Sequence, residues 1–164
     1  MSQENTVLFA KVNPTAIIPS KRLEDAGFDI YACFDELEMT VNPGEIKLIP
    51  TGIASSFSTS HVMVLKERGS TGTKGMALRC GIIDSGFRNE WFVPINNTST
   101  KKIVITKDEN RIADNNETVY PYSKAIAQAL LLPVPQVNIE EVSYEEIQQI
   151  KSERGLGQLG SSNK

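Results

Sequence analysis

The chain has 164 residues, of which 40% are hydrophobic, 23% charged and 7% aromatic, the composition of one globular domain rather than of a disordered or collagen-like chain. A chain of this length buries roughly 70% of its unfolded surface, enough for a core of its own. Lys and Arg number 17 against 20 Asp and Glu, for a net charge of −3 with one histidine, His61. That leaves no basic excess for a duplex-binding face, so a nucleic acid polymer is not an expected partner.

The two cysteines, Cys33 and Cys80, cannot build a disulfide framework and have no zinc spacing. Both have apolar neighbours in sequence and are expected to pack as small hydrophobes. Met1-Ser2-Gln3-Glu4-Asn5 lacks the basic and apolar regions of a signal peptide. The most apolar stretch, 125–137, contains Gln128, Pro133 and Pro135 and is too short to span a bilayer. A reducing, cytoplasmic setting without a membrane partner is expected.

In chain order, Val7 to Val12 reads as a strand broken by Asn13-Pro14, and Phe28 to Ala32 alternates at period two. The turn Asn42-Pro43-Gly44-Glu45 precedes a strand at Ile46 to Pro50, and another runs from Val62 to Lys66. Further strands are expected at Trp91 to Ile95, Lys102 to Thr106 and Ala129 to Val134. The pair Lys101-Lys102 reads as a solvated edge or turn, and a brief helical turn is possible at Thr71 to Ala77. Residues 107–124 are polar, with Asn115-Asn116 as a hairpin tip or part of a long loop. One good helix stands out: Ser143 caps it, Glu146 completes a capping box, Val142, Ile147 and Ile150 form its stripe, and Arg154-Gly155 ends it. Many short strands with Pro and Gly punctuation predict an all-β sandwich or barrel.

The residues from Arg154 to Lys164 carry Gly155, Gly157 and Gly160 with Ser161 and Ser162, and little to bury. They read either as a frayed end or as a flap whose backbone wraps an anion.

Four other segments carry possible chemistry. Asp25-Ala26-Gly27-Phe28-Asp29 sets a glycine among acids before a strand. Arg68-Gly69-Ser70-Thr71-Gly72 follows a strand and can offer guanidinium, hydroxyl and N–H donors to phosphate; a plain surface turn is the alternative. Gly81-Ile82-Ile83-Asp84-Ser85-Gly86-Phe87-Arg88 reads as a β-hairpin with Asp84 at its bend, where Asp also serves turns by local hydrogen bonding. Gln128 is a polar amide inside an apolar strand and needs a partner, either a neighbouring loop or a ligand.

In this order and at this spacing, the segments from Asp25 to Ser162 resemble the five motifs of the trimeric dUTPase family. The resemblance implies a jelly-roll-like subunit of residues 1–153 with a flexible C-terminal arm of residues 154–164. It also implies a homotrimer with active sites at subunit interfaces, dUTP as substrate, and Mg2+ held by the triphosphate and waters without a direct protein ligand. By resemblance Asp84 activates the attacking water, a role that suits a carboxylate acceptor. Gly81, Ile82 and Ile83 read the uracil edge, and Phe87 stacks on the deoxyribose where the family usually has tyrosine. Arg68, Gly69, Ser70 and Gly72 form the phosphate loop, in which Gly69 replaces the usual serine and leaves open which hydroxyl meets phosphate. Gln128 lies near the α-phosphate, while Asp29 and Arg88 organise the site. Arg154 clamps the γ-phosphate, and Gly155, Gly157, Gly160, Ser161 and Ser162 wrap the chain of phosphates. Leu159 stands near the place of the usual lid aromatic, so Phe92 or Trp91 is a candidate substitute. Two other readings share the fold: a dCTP deaminase using Glu90, and a nucleotide-gated regulator docking a protein partner through Lys107 to Lys124.

Overall fold

Short apolar runs cut by proline and glycine fold into twelve strands and two brief helices over residues 6–157, the part of the chain that the computed structural model describes. The strands are β1 (Leu8–Lys11), β2 (Gly27–Ile30), β3 (Glu38–Val41), β4 (Ile46–Pro50), β5 (Ile53–Ser56) and β6 (His61–Lys66). Helix α1 (Gly69–Gly72) precedes β7 (Met76–Leu78), β8 (Ile82–Ile83), β9 (Phe92–Asn97), β10 (Lys102–Thr106), β11 (Glu117–Pro121) and β12 (Ala127–Pro133), and α2 (Tyr144–Gln149) follows.

The strands pair in sheets of order β1-β5, β11-β10-β3, β2-β12-β6-β8 and β4-β9-β7, giving the all-β, jelly-roll-like architecture expected. Side chains from their inner faces form one core in which Trp91, Tyr120, Ile30, Ile49, Ile53 and Met63 are essentially sealed from solvent. The Phe9 ring meets Trp91 edge-on at a centroid distance of 5.6 Å, an arrangement aromatic pairs favour. Buried Asn97 spends its amide on the carbonyls of Val41 (2.9 Å) and Lys101 (2.8 Å), so its polarity is fully used. Among the described residues no helix is long and apolar enough to cross a membrane.

Several expectations need correction. The strands around Asp84 do not form a hairpin: β8 pairs β6, whereas β9 pairs β4 and β7. Asn115-Asn116 is no hairpin tip, because β10 and β11 run parallel and the segment between them must cross over. Cys33 is buried as expected, but Cys80 is exposed and takes φ +56. Helix α1 begins at Gly69, earlier than Thr71, because the Arg68 carbonyl accepts from the N–H groups of Thr71 and Gly72. Helix α2 has the Ser143–Glu146 capping box but ends at Gln149, well before Arg154, and its stripe enters no core: Val142, Ile147 and Ile150 are all exposed among the described residues.

Candidate active site

The four-stranded sheet sets the site residues in register. Asp29 on β2 pairs with Gln128 on β12, and Gln128 pairs in turn with Lys66 at the end of β6. From there the chain runs directly through Glu67 and Arg68 into α1. A cavity of about 870 Å³ opens at this place, walled by the segment from Ser20 to Asp29 and by the Arg68-Gly69-Ser70 turn, with Gln128 between them. Asp29, Arg68, Gly69, Ser70 and Gln128 therefore come together as the sequence suggested.

Arg68 is held in place rather than left to search. Its Nε meets Asp29 Oδ1 at 3.0 Å, and its Nη1 donates to the Ala125 carbonyl at 3.3 Å. The buried Tyr120 hydroxyl donates to that same carbonyl at 2.7 Å. Gln128 Nε2 donates to the Glu67 carbonyl at 2.8 Å, which ties β12 to the loop. Gly27 makes room for that amide, because a Cβ there would stand 2.6 Å from Gln128 Oε1. The Glu67 carboxylate accepts from the Leu78 N–H at 2.8 Å, and this bond holds it below the usual glutamate range against the opposing effect of partial burial.

The two hydroxyls of this loop are placed differently. Thr71 is fully buried, and its Oγ1 accepts from the Arg68 N–H at 3.0 Å and donates to the Arg68 carbonyl at 3.1 Å. Ser70 is exposed and lines the cavity. The N–H groups of a helix's first residues have no intrahelical partner, and here they belong to Gly69 and Ser70. Gly72, farther along α1, does not line the cavity.

Asp84 lies elsewhere. It follows β8 at the far edge of the same sheet, three strand spacings or roughly 14 Å from β2. Gly81, Ile82 and Ile83 accompany it. The Gly81 carbonyl accepts from Leu65 N at 2.7 Å, and a Cβ on Gly81 would stand 2.6 Å from the Leu65 carbonyl oxygen, so only glycine permits this approach. The turn closes by Phe87 N donating to the Asp84 carbonyl at 3.0 Å.

Straps to β5 fix the turn in place of a hairpin ladder. Arg88 Nη1 donates to the carbonyls of Ser85, Phe87 (3.3 Å) and Ser55 (3.4 Å). Trp91 N donates to the Ile53 carbonyl at 2.8 Å. Glu90 Oε1 accepts from Gly52 N at 2.7 Å, so the carboxylate that a deaminase reading would use is already engaged. Phe87 and Phe92 are each about two-fifths exposed. Trp91 is completely buried, which removes it as a lid candidate: its ring is part of the core.

Arg154, Gly155 and Gly157 lie beyond α2 and do not line the cavity. Arg154 Nε donates to the Gly157 carbonyl at 3.3 Å. Leu159, Gly160, Ser161 and Ser162 lie outside the described residues. The sequence reading passed over Ser20, Lys21, Arg22 and Glu24, which also line the cavity. The adjacent cations Lys21-Arg22, just ahead of the Asp25-to-Asp29 segment, were the available signal.

Fold and cavity together define a jelly-roll-like β protein with a polar cavity lined by cations, carboxylates, a hydroxyl and backbone donors. The chain belongs to the dUTPase family: the family profile matches residues 13–163. It is 33% identical over 163 residues to the deoxyuridine 5'-triphosphate nucleotidohydrolase of Nautilia profundicola, covering 94% of this chain and 96% of that one. With the enzyme of the same name from Clostridioides difficile it shares 34% over 161 residues, covering 93% and 94%. The dUTPase of Staphylococcus bacteriophage 80alpha with dUpNHpp superposes with a TM-score of 0.73 at 22% identity, covering 98% of this chain and 99% of that one. The dUTPase of EIAV superposes with a TM-score of 0.65 at 20% identity, over 85% and 98%. At such identities the structures establish the fold.

Proposed function

We propose that the protein hydrolyses dUTP to dUMP and pyrophosphate, limiting uracil incorporation into DNA and supplying dUMP for dTMP synthesis. The observation that carries this reading is the convergence of Asp29, Arg68, Ser70 and Gln128 on one cavity in a chain whose curated relatives bear that activity. Water adds its oxygen to the α-phosphorus and gives its proton to Asp84. The bond from that phosphorus to the bridging oxygen breaks, and pyrophosphate leaves. Arg68, preorganised by Asp29 and the Ala125 carbonyl, meets developing charge without reorganising, and so stabilises the transition state more than a free side chain would.

Asp84 and the cavity stand at opposite edges of one sheet, so in this reading a complete site joins the cavity of one subunit to the Asp84 turn of another in a homotrimer. Gly81, Ile82 and Ile83 read the base, and Phe87 stacks on the sugar. Arg154 with Gly155, Gly157, Gly160, Ser161 and Ser162 closes over the phosphates as an arm of residues 154–164. In this reading Phe92, exposed where Trp91 is buried, serves as the lid aromatic.

The donor set suits magnesium held through phosphates and water. Of the lining carboxylates Glu24, Asp25 and Asp29, the last two already face cations, and magnesium keeps several waters while binding substrate phosphates. A structural Mg(II) ion is coordinated in the dUTPase of phage phi11, a fold neighbour at 19% identity and a TM-score of 0.68. Here Asp29 would accept from the waters of the ion, which supplies charge neutralisation at the phosphates.

Asp84→Asn tests the assignment. It is expected to keep dUTP binding and to lower turnover by at least about a hundredfold, the scale of a lost general base. Retained turnover would remove Asp84 from this role.

A further inference from the structure

Resting on the reading above and deepening it, we propose that Lys21 is a further phosphate-binding residue of this cavity, placed to meet the outer phosphates of a nucleoside triphosphate. Three cations line the cavity, and two are already matched to carboxylates. Arg68 faces Asp29 at 3.0 Å. Arg22 grips Asp25 with two bonds, Nε to Oδ2 at 2.8 Å and Nη2 to Oδ1 at 2.9 Å, which holds the Asp25 carboxyl below its usual range.

Lys21 differs. Its Nζ donates to backbone carbonyls, those of Asp25 at 2.7 Å and Arg22 at 3.4 Å, and it lies 5.8 Å from the centroid of the Phe28 ring. Among the described residues no carboxylate oxygen comes within 4.0 Å of it. A lysine ammonium has three donors. Two carbonyls and a ring face orient this one; its charge reaches the Asp25 carboxylate only from beyond contact distance, and a donor remains for the cavity.

The cavity also needs that charge. Its lining cations Lys21, Arg22 and Arg68 equal in number the acids Glu24, Asp25 and Asp29, so the walls carry no net attraction for a polyphosphate, which relies on the one lining cation that no carboxylate holds in a contact pair. Holding Lys21 against carbonyls before the ligand arrives lowers the entropy lost on binding. Because Lys21 lines the same cavity as the Arg68-Gly69-Ser70 phosphate loop, and the base is read by Gly81, Ile82 and Ile83 in this reading, its contribution depends on phosphate number and not on the base.

The test is calorimetric titration of the full-length protein with inorganic triphosphate and, separately, with dUMP, both with magnesium, for wild type, Lys21→Gln and Lys21→Arg. Lys21→Gln is expected to weaken inorganic triphosphate about tenfold, as loss of a charged hydrogen bond does, with a smaller salt dependence. Lys21→Arg should retain most of the affinity, and dUMP should bind all three alike. In turnover, Lys21→Gln should raise KM for dUTP while leaving kcat within about twofold. Unchanged triphosphate binding in Lys21→Gln, or an equal loss for dUMP, would overturn the proposal. The titration needs no catalysis. A wild type that fails to cleave dUTP yet binds triphosphate through Lys21 would overturn the hydrolase reading alone.

Discussion

Arg68 is the best-anchored cation of the cavity, which it shares with Lys21 and Arg22. Asp29, the Ala125 carbonyl and Tyr120 behind that carbonyl fix its direction, so in the proposed reading its charge-assisted bonds to phosphate need no search among rotamers. Gly81 has the same importance at the other edge of the sheet. A methyl group at this position would sit 2.6 Å from the Leu65 carbonyl oxygen, against backbone that cannot swing aside. Gly81→Ala is expected to cost about 1–3 kcal/mol, the usual penalty of overpacking, and to depress turnover by shifting Asp84. Urea unfolding beside steady-state kinetics checks both; an unchanged midpoint and rate would contradict the contact. At this scale the sequence was readable where chemistry is unusual for its context, as with Gln128 inside an apolar strand. It was not readable for Lys21 or Thr71, whose roles depend on which backbone groups they reach, and composition does not display that.

At the scale of elements, apolar runs located β4 and β10 to the residue and β1, β2, β6, β9 and β12 nearly so. The strands that were missed lack such runs. Met76-Ala77-Leu78 is three residues long, and Glu117-Thr118-Val119-Tyr120-Pro121 opens in a polar stretch. Its register comes from pairing with β10 and from Arg111, which bonds Glu38 at 3.0 Å and Glu117 at 2.7 Å. The reading of Asp84 as a hairpin bend was right about the turn and wrong about its flanks, because local sequence does not say which strand a partner will be. The straps from Arg88 to β5 and from Glu90 to Gly52 just ahead of it do the work a hairpin ladder would have done. The capping box of α2 was legible because it is local: Ser143 Oγ accepts from Glu146 N at 3.1 Å, and Glu146 Oε2 from Ser143 N at 2.8 Å. Since α2 buries no residue in the subunit, Ser143→Ala should weaken the helix by about 1 kcal/mol and leave the unfolding midpoint of the β domain unchanged. Amide exchange should quicken within residues 144–149 alone; quickening in the β12 ladder would show that α2 supports the sheet.

At the scale of the whole molecule, the subunit presents a surface that one copy does not cover. Val137, Ile139, Tyr144, Ile147, Ile150 and Leu156 are each more than half exposed beyond β12, and Leu8, Leu48 and Ile82 are similarly open on the β domain. Apolar exposure of this extent favours association, which supports the proposal that the active site is completed between subunits. It also explains why the site was only partly legible: the sequence names the pieces of both edges, while one subunit brings together only those at the β2 edge. The central claim is that these pieces select and cleave one nucleotide. The most direct measurement is pyrophosphate release by the purified protein with magnesium and dUTP, run beside dTTP, dCTP and UTP. Release from dUTP, with the other three at least about a hundredfold slower, is the predicted result, since a site closed to an added group discriminates on this scale. Equal release from all four, ammonia from dCTP, or no release from any would contradict the account.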